Sequence, residues 1–344
     1  MELELKIADE NDALLWDKVV ESSSHGTIFH TWKWLKIVEK HTKCRLYPLI
    51  GAKESTIIGI CPVFYQTFWG IKRVESPPPR MALPYLGPII VDYDKFKQSK
   101  RESIYTEFIK NMDKFISSNL KPNYTYIALT PSLDPRPFKW TNYKVHALFD
   151  YNLNMEKGEE AVWQNFDKPA RDHIKKANKE NICFKEGTEE DLHYIYDSLV
   201  TRYKEQNKYV TVPEKYLFDI FNNYYPENMR IFIAKSGENN VGGIVSLLYK
   251  DTIYFWIGAA KSDLKVASPN DMIHWEGMRW GCNHGFKYYE ETGANEERLC
   301  RFKSKYNPEL MTRFTATKYS SYMYLLAEKA YTKVFKKVYG VLFK

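Results

Sequence analysis

The order of predicted helices and strands occurs twice along the chain, and this repetition limits the fold more than any other feature. The first patterns predict two helices, a hairpin, a long helix over about 93–120 and the strand NYTYIALTP. Near Glu156 the order begins again with helices, the strands RIFIAKS, VGGIVSLLY and TIYFWIGA, another helix and the strand FKYYEET. We therefore expect an α/β (α+β) protein of two similar halves, whose mixed, largely antiparallel sheets meet at a cleft.

The restart of the pattern places a domain boundary near residue 155. A chain of 344 residues can hold two domains. The expected domains are 1–155 and 156–317, with the tail 318–344 packed on the first. The end of the tail, AEKAYTKVFKKVYGVLFK, alternates lysines with apolar residues, a pattern that also suits a basic amphipathic helix on an anionic membrane. Docking on the first domain and peripheral membrane contact both stay open.

Composition excludes several classes of protein. The net charge of +7 favours anionic partners without identifying one. The five cysteines are odd in number and lack CxxC spacing, which is typical of reduced thiols in a cytoplasmic protein. No signal-peptide pattern occurs, and no stretch approaches the roughly 20 apolar residues of a membrane span. No HExxH or similar spacing predicts a metal site, so we expect neither a metal nor a bound cofactor.

A second group of observations concerns catalysis. The sequence has no GxSxG elbow, and none of its cysteines lies in a catalytic signature. His30, His173 and His274 are scattered, and each is interpreted as a structural or surface residue. The sequence therefore predicts no covalent enzyme intermediate.

Positive charge is concentrated in GANEERLCRFKSKYNPE, which contains Arg298, Arg301, Lys303 and Lys305. If this segment is extended, Arg301, Lys303 and Lys305 share a face; if it is helical, Arg298, Arg301 and Lys305 do. An ammonium group here could bind a phosphate or stabilise a developing oxyanion. On the charge pattern alone, a solvated basic turn is the better explanation of the cluster.

A second group of cations lies in the segment EEAVWQNFDKPARDHIKKANKEN, which the periodicity predicts as one helix. Four of its cations lie within one helical turn of each other along a stripe: Lys168, Arg171, Lys175 and Lys179. Like charges so arranged repel each other unless an anion neutralises them, so the stripe is a candidate site for the acceptor end of a tRNA or another donor. An ordinary surface helix is the other interpretation.

The segment GAAKSDLKVASPNDMIHW bears on the donor. Coenzyme A enzymes of this element order usually have a glycine-rich loop here, whose N–H groups bind pyrophosphate at a helix start. This segment has glycine only at its beginning. The sequence therefore disfavours coenzyme A without excluding it.

Four stretches, in this order and spacing, resemble the Fem family of non-ribosomal peptidyl transferases. They are KPARDHIKKANKENICF, MRIFIAKSGENNVGGIVSLLYKDTIYFWIGA, SPNDMIHWEGMRWGCNHGFKYYEETGANEE and RFKSKY. The resemblance spans nearly the whole chain and implies two tandem GNAT-like acyltransferase domains. It also implies transfer of amino acids from aminoacyl-tRNA to peptidoglycan precursors during cell-wall biogenesis.

The resemblance assigns roles to individual positions. It makes Lys303 the catalytic residue, close to substrate phosphate and the reacting carbonyl. It implies substrate contacts for Trp34, Lys36, Tyr216, Tyr254 and Trp256, and for Arg301 and Lys305 beside Lys303. Two positions depart from the family: Val212 stands where an arginine is expected, and Thr130 where some members have a carboxylate.

The expected function is therefore acyl or aminoacyl transfer to an amino group of a phosphate-bearing cell-envelope precursor, with aminoacyl-tRNA as donor. One alternative is an N-acyltransferase that uses acyl-CoA on an amino sugar or small amine. The other is a non-catalytic protein that binds polyanions or membrane surfaces. The sequence favours no oligomeric state.

Overall fold

The computed structural model shows a chain that folds as two compact units. It describes residues 2–68, 70–260 and 269–326. Within these, the first unit contains the residues up to Ala147 and those from Arg313 onward, and the second unit is Leu148–Thr312. Residues 148–155 thus belong with the second unit and 313–317 with the first.

The expected packing of the tail concerns residues that are only partly described. Residues 318 and 319 end a strand of the first unit. From residue 327 onward the tail lies outside the described residues, and with it the lysine-rich segment expected to dock or to contact a membrane. None of the described helices is both long and apolar enough to cross a membrane.

Strands and helices are numbered along the chain. The strands are β1 (Glu4–Ile7), β2 (Arg45–Lys53), β3 (Thr56–Phe68), β4 (Ile71–Ser76), β5 (Ile89–Ile90), β6 (Tyr124–Ala128), β7 (Lys144–Asn154), β8 (Ile182–Glu186), β9 (Met229–Ser236), β10 (Asn239–Tyr249), β11 (Thr252–Ala260), β12 (Tyr288–Glu291) and β13 (Glu309–Tyr319). The α-helices are α1 (Ala13–Ser22), α2 (Trp32–His41), α3 (Gln98–Phe115), α4 (Arg136–Trp140), α5 (Glu159–Asn165), α6 (Lys168–Lys179), α7 (Glu189–Glu205), α8 (Glu214–Tyr224), α9 (Pro269–Asn283) and α10 (Glu297–Lys303).

The sheet of the first unit has the order β1-β2-β3-β4-β6-β13. Strands β1 to β4 form an antiparallel series, whereas β4 and β6 are parallel because α3 lies in the crossover between them. The last strand, β13, comes from the far end of the described chain and pairs antiparallel with β6, from Thr315 opposite Ala128 to Tyr319 opposite Tyr124.

The sheet of the second unit repeats this order as β8-β9-β10-β11-β12-β7. Strands β8 to β11 are antiparallel, and β11 and β12 are parallel, with α9 in their crossover. Strand β7 precedes the unit's other elements and pairs antiparallel with β12, from Tyr151 opposite Glu291 to Asn154 opposite Tyr288. The mixed α/β fold and its repeated order are as expected from the sequence.

The prediction of one long helix over EEAVWQNFDKPARDHIKKANKEN is wrong. The structure has two helices there, α5 and α6. Pro169 causes the break: it has no N–H to bond back to Asn165, and its ring would clash with that carbonyl, but both features are harmless in a first helical turn. Arg171 then donates from Nη1 to the carbonyl oxygens of Gln164, at 3.1 Å, and Phe166.

Helix α9 approaches β11 closely at Gly281, and a pair of substitutions tests this contact. A Cβ on Gly281 would lie 2.5 Å from Cδ1 of the buried Ile253, whereas on Gly277 the nearest atom would be 3.6 Å away. Within a helix, alanine is about 0.5–1 kcal/mol more favourable than glycine. We expect Gly277→Ala to raise the free energy of unfolding by that amount. Gly281→Ala should instead lower it by about 1–3 kcal/mol through overpacking. Urea unfolding of both variants measures the difference, and equal effects would contradict the close approach.

Candidate functional site

The parallel strands β11 and β12 of the second unit separate beyond Phe255 and Glu291, their last paired residues. Strand β11 also has a bulge there: Phe255 and Ile257 pair with consecutive residues of β10, so Trp256 is the extra residue. The chain after β12 instead follows β7, since Gly293 N donates to Asp150 Oδ1 at 2.7 Å. Beyond these residues, the main-chain N–H and C=O groups of the two segments therefore do not pair with each other as β11 and β12 do.

Lys303, the last residue of α10, reaches the end of β12. Its Nζ donates to the carbonyl oxygen of Thr292 at 2.5 Å and lies 3.9 Å from Oε2 of Glu291. The residue is only 7 % exposed. An ammonium group has three N–H donors, and one hydrogen bond to a described residue leaves it able to donate to an oxygen of a ligand.

Glu291 and His274 form a buried ion pair next to Lys303. The distance from Glu291 Oε1 to His274 Nδ1 is 2.6 Å. The imidazole, on α9, stacks between the rings of Phe255 and Tyr306, at centroid distances of 4.8 and 5.5 Å. Burial by itself would raise the pKa of Glu291, but the charges of His274 and Lys303 and the hydrogen bond from His274 outweigh it and hold that pKa below its usual value.

This lowered pKa predicts how stability depends on pH. A carboxyl group whose pKa is lower in the folded state stabilises the fold above its unfolded pKa, about 4.3 for glutamate, and loses that contribution as pH falls through its folded value. We expect wild type to lose stability more steeply than Glu291→Gln as pH is lowered from about 5, because glutamine cannot titrate. Urea midpoints measured at a series of pH values provide the test, and parallel curves would contradict the charged state of Glu291.

Asp271 is one turn before His274 on α9 and is the centre of a second buried group. Its carboxylate accepts a hydrogen bond from Tyr306 Oη at 2.8 Å, is ion-paired with Lys305 and lies 3.1 Å from His173 Nδ1. Burial, and then the charge of Asp271, raise the pKa of Tyr306, so this phenol stays a hydrogen-bond donor. Tyr306 also stacks on His274. The residues around Asp271 and the Glu291–His274 pair therefore form one connected cluster.

The cations expected to act together near Lys303 are separated by the helical form of their segment. The side chain of Arg301 is 78 % exposed and is paired with Glu297 at 2.5 Å. Lys305 is instead enclosed, with its ammonium also 4.1 Å from the ring centroid of Phe302. Arg301 and Lys305 therefore share no face, although the helical alternative had placed Arg298, Arg301 and Lys305 together, because Lys305 lies beyond the end of α10.

The aromatic residues expected to bind substrate lie partly inside the units. Tyr216, on α8, is fully buried, and its ring is 6.2 Å from that of Trp256, which is partly exposed. Tyr254 is also buried, and burial raises its pKa. Trp34 is fully buried in the first unit, with its ring 5.3 Å from that of Phe29.

Lys36 and the cations of α6 are mostly exposed. Lys36 in the first unit is paired with Glu39 at 2.6 Å and with Glu10 at 3.6 Å. On α6, Lys168, Lys175 and Lys179 are exposed, whereas Arg171 is used to bind main-chain carbonyls. Lys175 also lines a groove of about 580 Å³, together with the rings of Trp163 and Trp275.

In the first unit, the chain itself fills the position that corresponds to the separation of β11 and β12. Strands β4 and β6 end their pairing at Ser76 and Ile127. The proline-rich loop then returns, and Leu86 bridges to Leu129 while its N donates to Ala128 O at 3.0 Å. Gly87 N donates to Ser76 Oγ at 3.0 Å, so the loop takes the place of β4 beside the end of β6.

Sequence reasoning missed most of the buried cluster around Lys303. His173 and His274 were expected to be structural or surface residues, and Asp271 was assigned no role. Glu291 and Tyr306 had no predicted role. Only the i, i+3 spacing of Asp271 and His274 could have indicated a shared polar face on α9.

Comparisons with known proteins agree with this fold. A family model described as acetyltransferase (GNAT) domain matches residues 165–304, most of the second unit. A crystal structure of FemX is 12 % identical, with a TM-score of 0.65, over 90 % of this chain and 96 % of that one. The C-terminal domain of a putative lysylphosphatidylglycerol synthetase from Agrobacterium fabrum is 9 % identical, with a TM-score of 0.57, over 94 % and 96 %.

A third similar structure is a tandem GNAT protein from the clavulanic acid biosynthesis pathway, 8 % identical with a TM-score of 0.53, over 93 % of this chain and 99 % of that one. No curated protein matches the sequence significantly. At these identities the structural likeness establishes the fold, whereas the family model identifies the type of domain. Residues 165–304 match the model of an acetyltransferase (GNAT) domain, and the protein is an acyltransferase.

Proposed function

We propose that the protein transfers an aminoacyl group from aminoacyl-tRNA to an amino group of a phosphate-bearing cell-envelope precursor. The observation that carries this proposal is the buried ammonium of Lys303, placed where β11 and β12 separate. The likeness to FemX and to a putative lysylphosphatidylglycerol synthetase supports an aminoacyl donor and an envelope acceptor. The protein would act in the cytoplasm, where charged tRNA is present, or at the inner face of the membrane.

The chemistry is direct aminolysis. The acceptor nitrogen attacks the carbonyl carbon of the ester, a C–N bond forms, and the bond to the ribose oxygen of the tRNA breaks. Negative charge develops on the carbonyl oxygen, and Lys303 donates a hydrogen bond to it in a site largely shielded from water. Positioning and electrostatics supply the acceleration without a covalent enzyme intermediate.

The remaining residues bind the two substrates. Lys36 binds a phosphate of the acceptor, and Trp256, which is partly exposed, contacts the acceptor directly. Tyr216 and Tyr254 are buried and shape the walls of the site in the second unit, and Trp34 is buried two residues before Lys36 in the first unit. Arg301 attracts the anionic substrate at the surface. Lys305 pairs with Asp271 and holds that carboxylate in place. The exposed lysines of α6, Lys168, Lys175 and Lys179, bind the donor, with Arg171 holding the start of that helix.

A second candidate function is N-acyl transfer from acyl-CoA to an amino sugar or small amine. The description of the matching family as acetyltransferases favours it. The amide groups of acyl-CoA can also hydrogen-bond to the main-chain groups that β11 and β12 leave unpaired where they separate.

One experiment distinguishes the two donors. The protein is incubated with nucleotide- and lipid-linked envelope precursors plus either total tRNA charged with labelled amino acids or labelled acetyl-CoA, and the precursors are analysed by mass spectrometry. We expect an amino-acid mass increment that requires charged tRNA. Transfer from acetyl-CoA alone would support the second candidate instead, and no transfer from either donor would contradict both.

A further inference from the structure

His173 and Asp271 form a pair that combines one buried and one accessible group. The side chain of Asp271 is 2 % exposed and that of His173 is 53 % exposed, with 3.1 Å between Oδ2 and Nδ1. The aspartate is held from the other side by Tyr306 and Lys305, so it cannot turn away. The pair joins α6 to α9.

This geometry selects one tautomer of the imidazole. A carboxylate only accepts hydrogen bonds, so the contact places the proton on Nδ1 of His173. Nε2 then carries a lone pair, on a side chain that is 53 % exposed. A histidine held in this way by a buried carboxylate is suited to accept a proton, because the carboxylate also stabilises the imidazolium that forms.

Amide formation requires such a proton acceptor. A substrate amine is mainly an ammonium ion at neutral pH and has no lone pair with which to attack. We propose that His173, positioned by Asp271, is the general base that removes a proton from the acceptor ammonium; this inference rests on the proposed function. One proton passes from the ammonium to His173 Nε2 and then to solvent, and a second passes from the attacking nitrogen to the departing oxygen. An ammonium and an ester thus yield an amide, an alcohol and one proton.

The pair is connected to Lys303 through contacts already described. Asp271 binds Tyr306, the ring of Tyr306 stacks on His274, and His274 pairs with Glu291, which is next to Lys303. Among the described residues, Asp271 from α9 contacts His173, and Lys305 and Tyr306 from the turn after α10 contact that carboxylate. Lys176 lies one turn further along α6. The base and the ammonium are therefore held by one continuous polar cluster.

The first test needs no substrate. Diethyl pyrocarbonate acylates unprotonated imidazole nitrogen, and mass spectrometry gives the rate at each histidine. We expect Asp271→Asn to slow the reaction of His173 severalfold, because an amide can bind the other tautomer. His193 is the internal control: it is similarly exposed, with Nδ1 3.4 Å from Glu214, and should react equally in both proteins. Tyr306→Phe keeps the carboxylate and should change His173 little. If His173 reacts at the same rate in Asp271→Asn, Asp271 does not fix the tautomer of His173, and the proposal fails whatever reaction the protein catalyses.

The second test uses the transfer assay with charged tRNA. General bases contribute about 10²–10⁴-fold, so His173→Gln should lower kcat by at least about 10²-fold at neutral pH. His193→Gln should leave kcat unchanged. A general base must be unprotonated to act, so the wild-type rate should rise with pH, and His173→Gln should lose this rise. Wild-type activity in the glutamine variant would overturn the proposal. So would a rate that falls as pH rises, because an imidazolium bound to substrate phosphate predicts that opposite dependence.

Discussion

Replacing Lys303 by methionine should lower kcat/KM for acyl transfer by about 10²–10³-fold, the usual loss when one donor to a developing oxyanion is removed. Methionine keeps the length and apolar stem of the side chain but has no N–H for the carbonyl oxygen. The loss should appear mainly in kcat, because the interaction becomes strong only as charge develops in the transition state.

Arg298→Gln is the matched control for this substitution. Arg298 lies in the same helix and also loses one positive charge, but it is exposed and has no part in the proposed site. We expect less than about a threefold change in kcat/KM, since one exposed charge is worth about 1 kcal/mol or less. Both variants are compared in the transfer assay after their urea midpoints show that they are folded. Equal losses would indicate that net charge matters and would contradict a specific role for Lys303.

Replacing His274 by phenylalanine should lower the free energy of unfolding by about 3–5 kcal/mol, the cost of breaking a buried ion pair by removing one partner. The new ring can still stack between Phe255 and Tyr306, so little packing is lost. The buried carboxylate of Glu291 would retain only Lys303, at 3.9 Å, from its present ion-pair partners. The cost is therefore electrostatic.

A double substitution separates this cause from poor packing. His274→Phe combined with Glu291→Gln removes the stranded charge, and we expect it to recover more than half of the lost stability. His284→Phe is the control: its ring stacks on Trp280 at 3.9 Å but is exposed, so the change should be within about 0.5 kcal/mol. Urea unfolding gives the free energy of unfolding of the single, double and control variants. No recovery in the double variant would show that the imidazole matters for shape rather than charge.

The sequence predicted the fold well because the fold depends on patterns that short windows contain. The repeated order of elements is confirmed, as are the mixed sheets and the acyltransferase type. The break between α5 and α6 was missed although Pro169 signals it, because the apolar spacing continues on both sides. The non-catalytic alternative is not supported, since residues 165–304 match an acetyltransferase domain.

The site was harder to predict because burial is a property of the whole unit. Arg301, Lys303 and Lys305 look alike in the sequence, yet the first lies on the surface and the others reach buried carboxylates. Those carboxylates, Asp271 and Glu291, come from separate elements, and no local pattern pairs them with a lysine further along the chain. Sequence spacing records which residues could share a face, but not which face is covered.

The position of β13 has a consequence for how the chain is made. Residues 315–319 supply the strand beside β6, so on the ribosome the first unit keeps one unpaired edge until the second unit and these residues have been translated. The second unit, Leu148–Thr312, is uninterrupted in sequence and can mature as soon as it leaves the exit tunnel. The first unit is therefore synthesised before the second but completed after it. During that delay, its unpaired edge at β6 is exposed to pairing with other nascent chains.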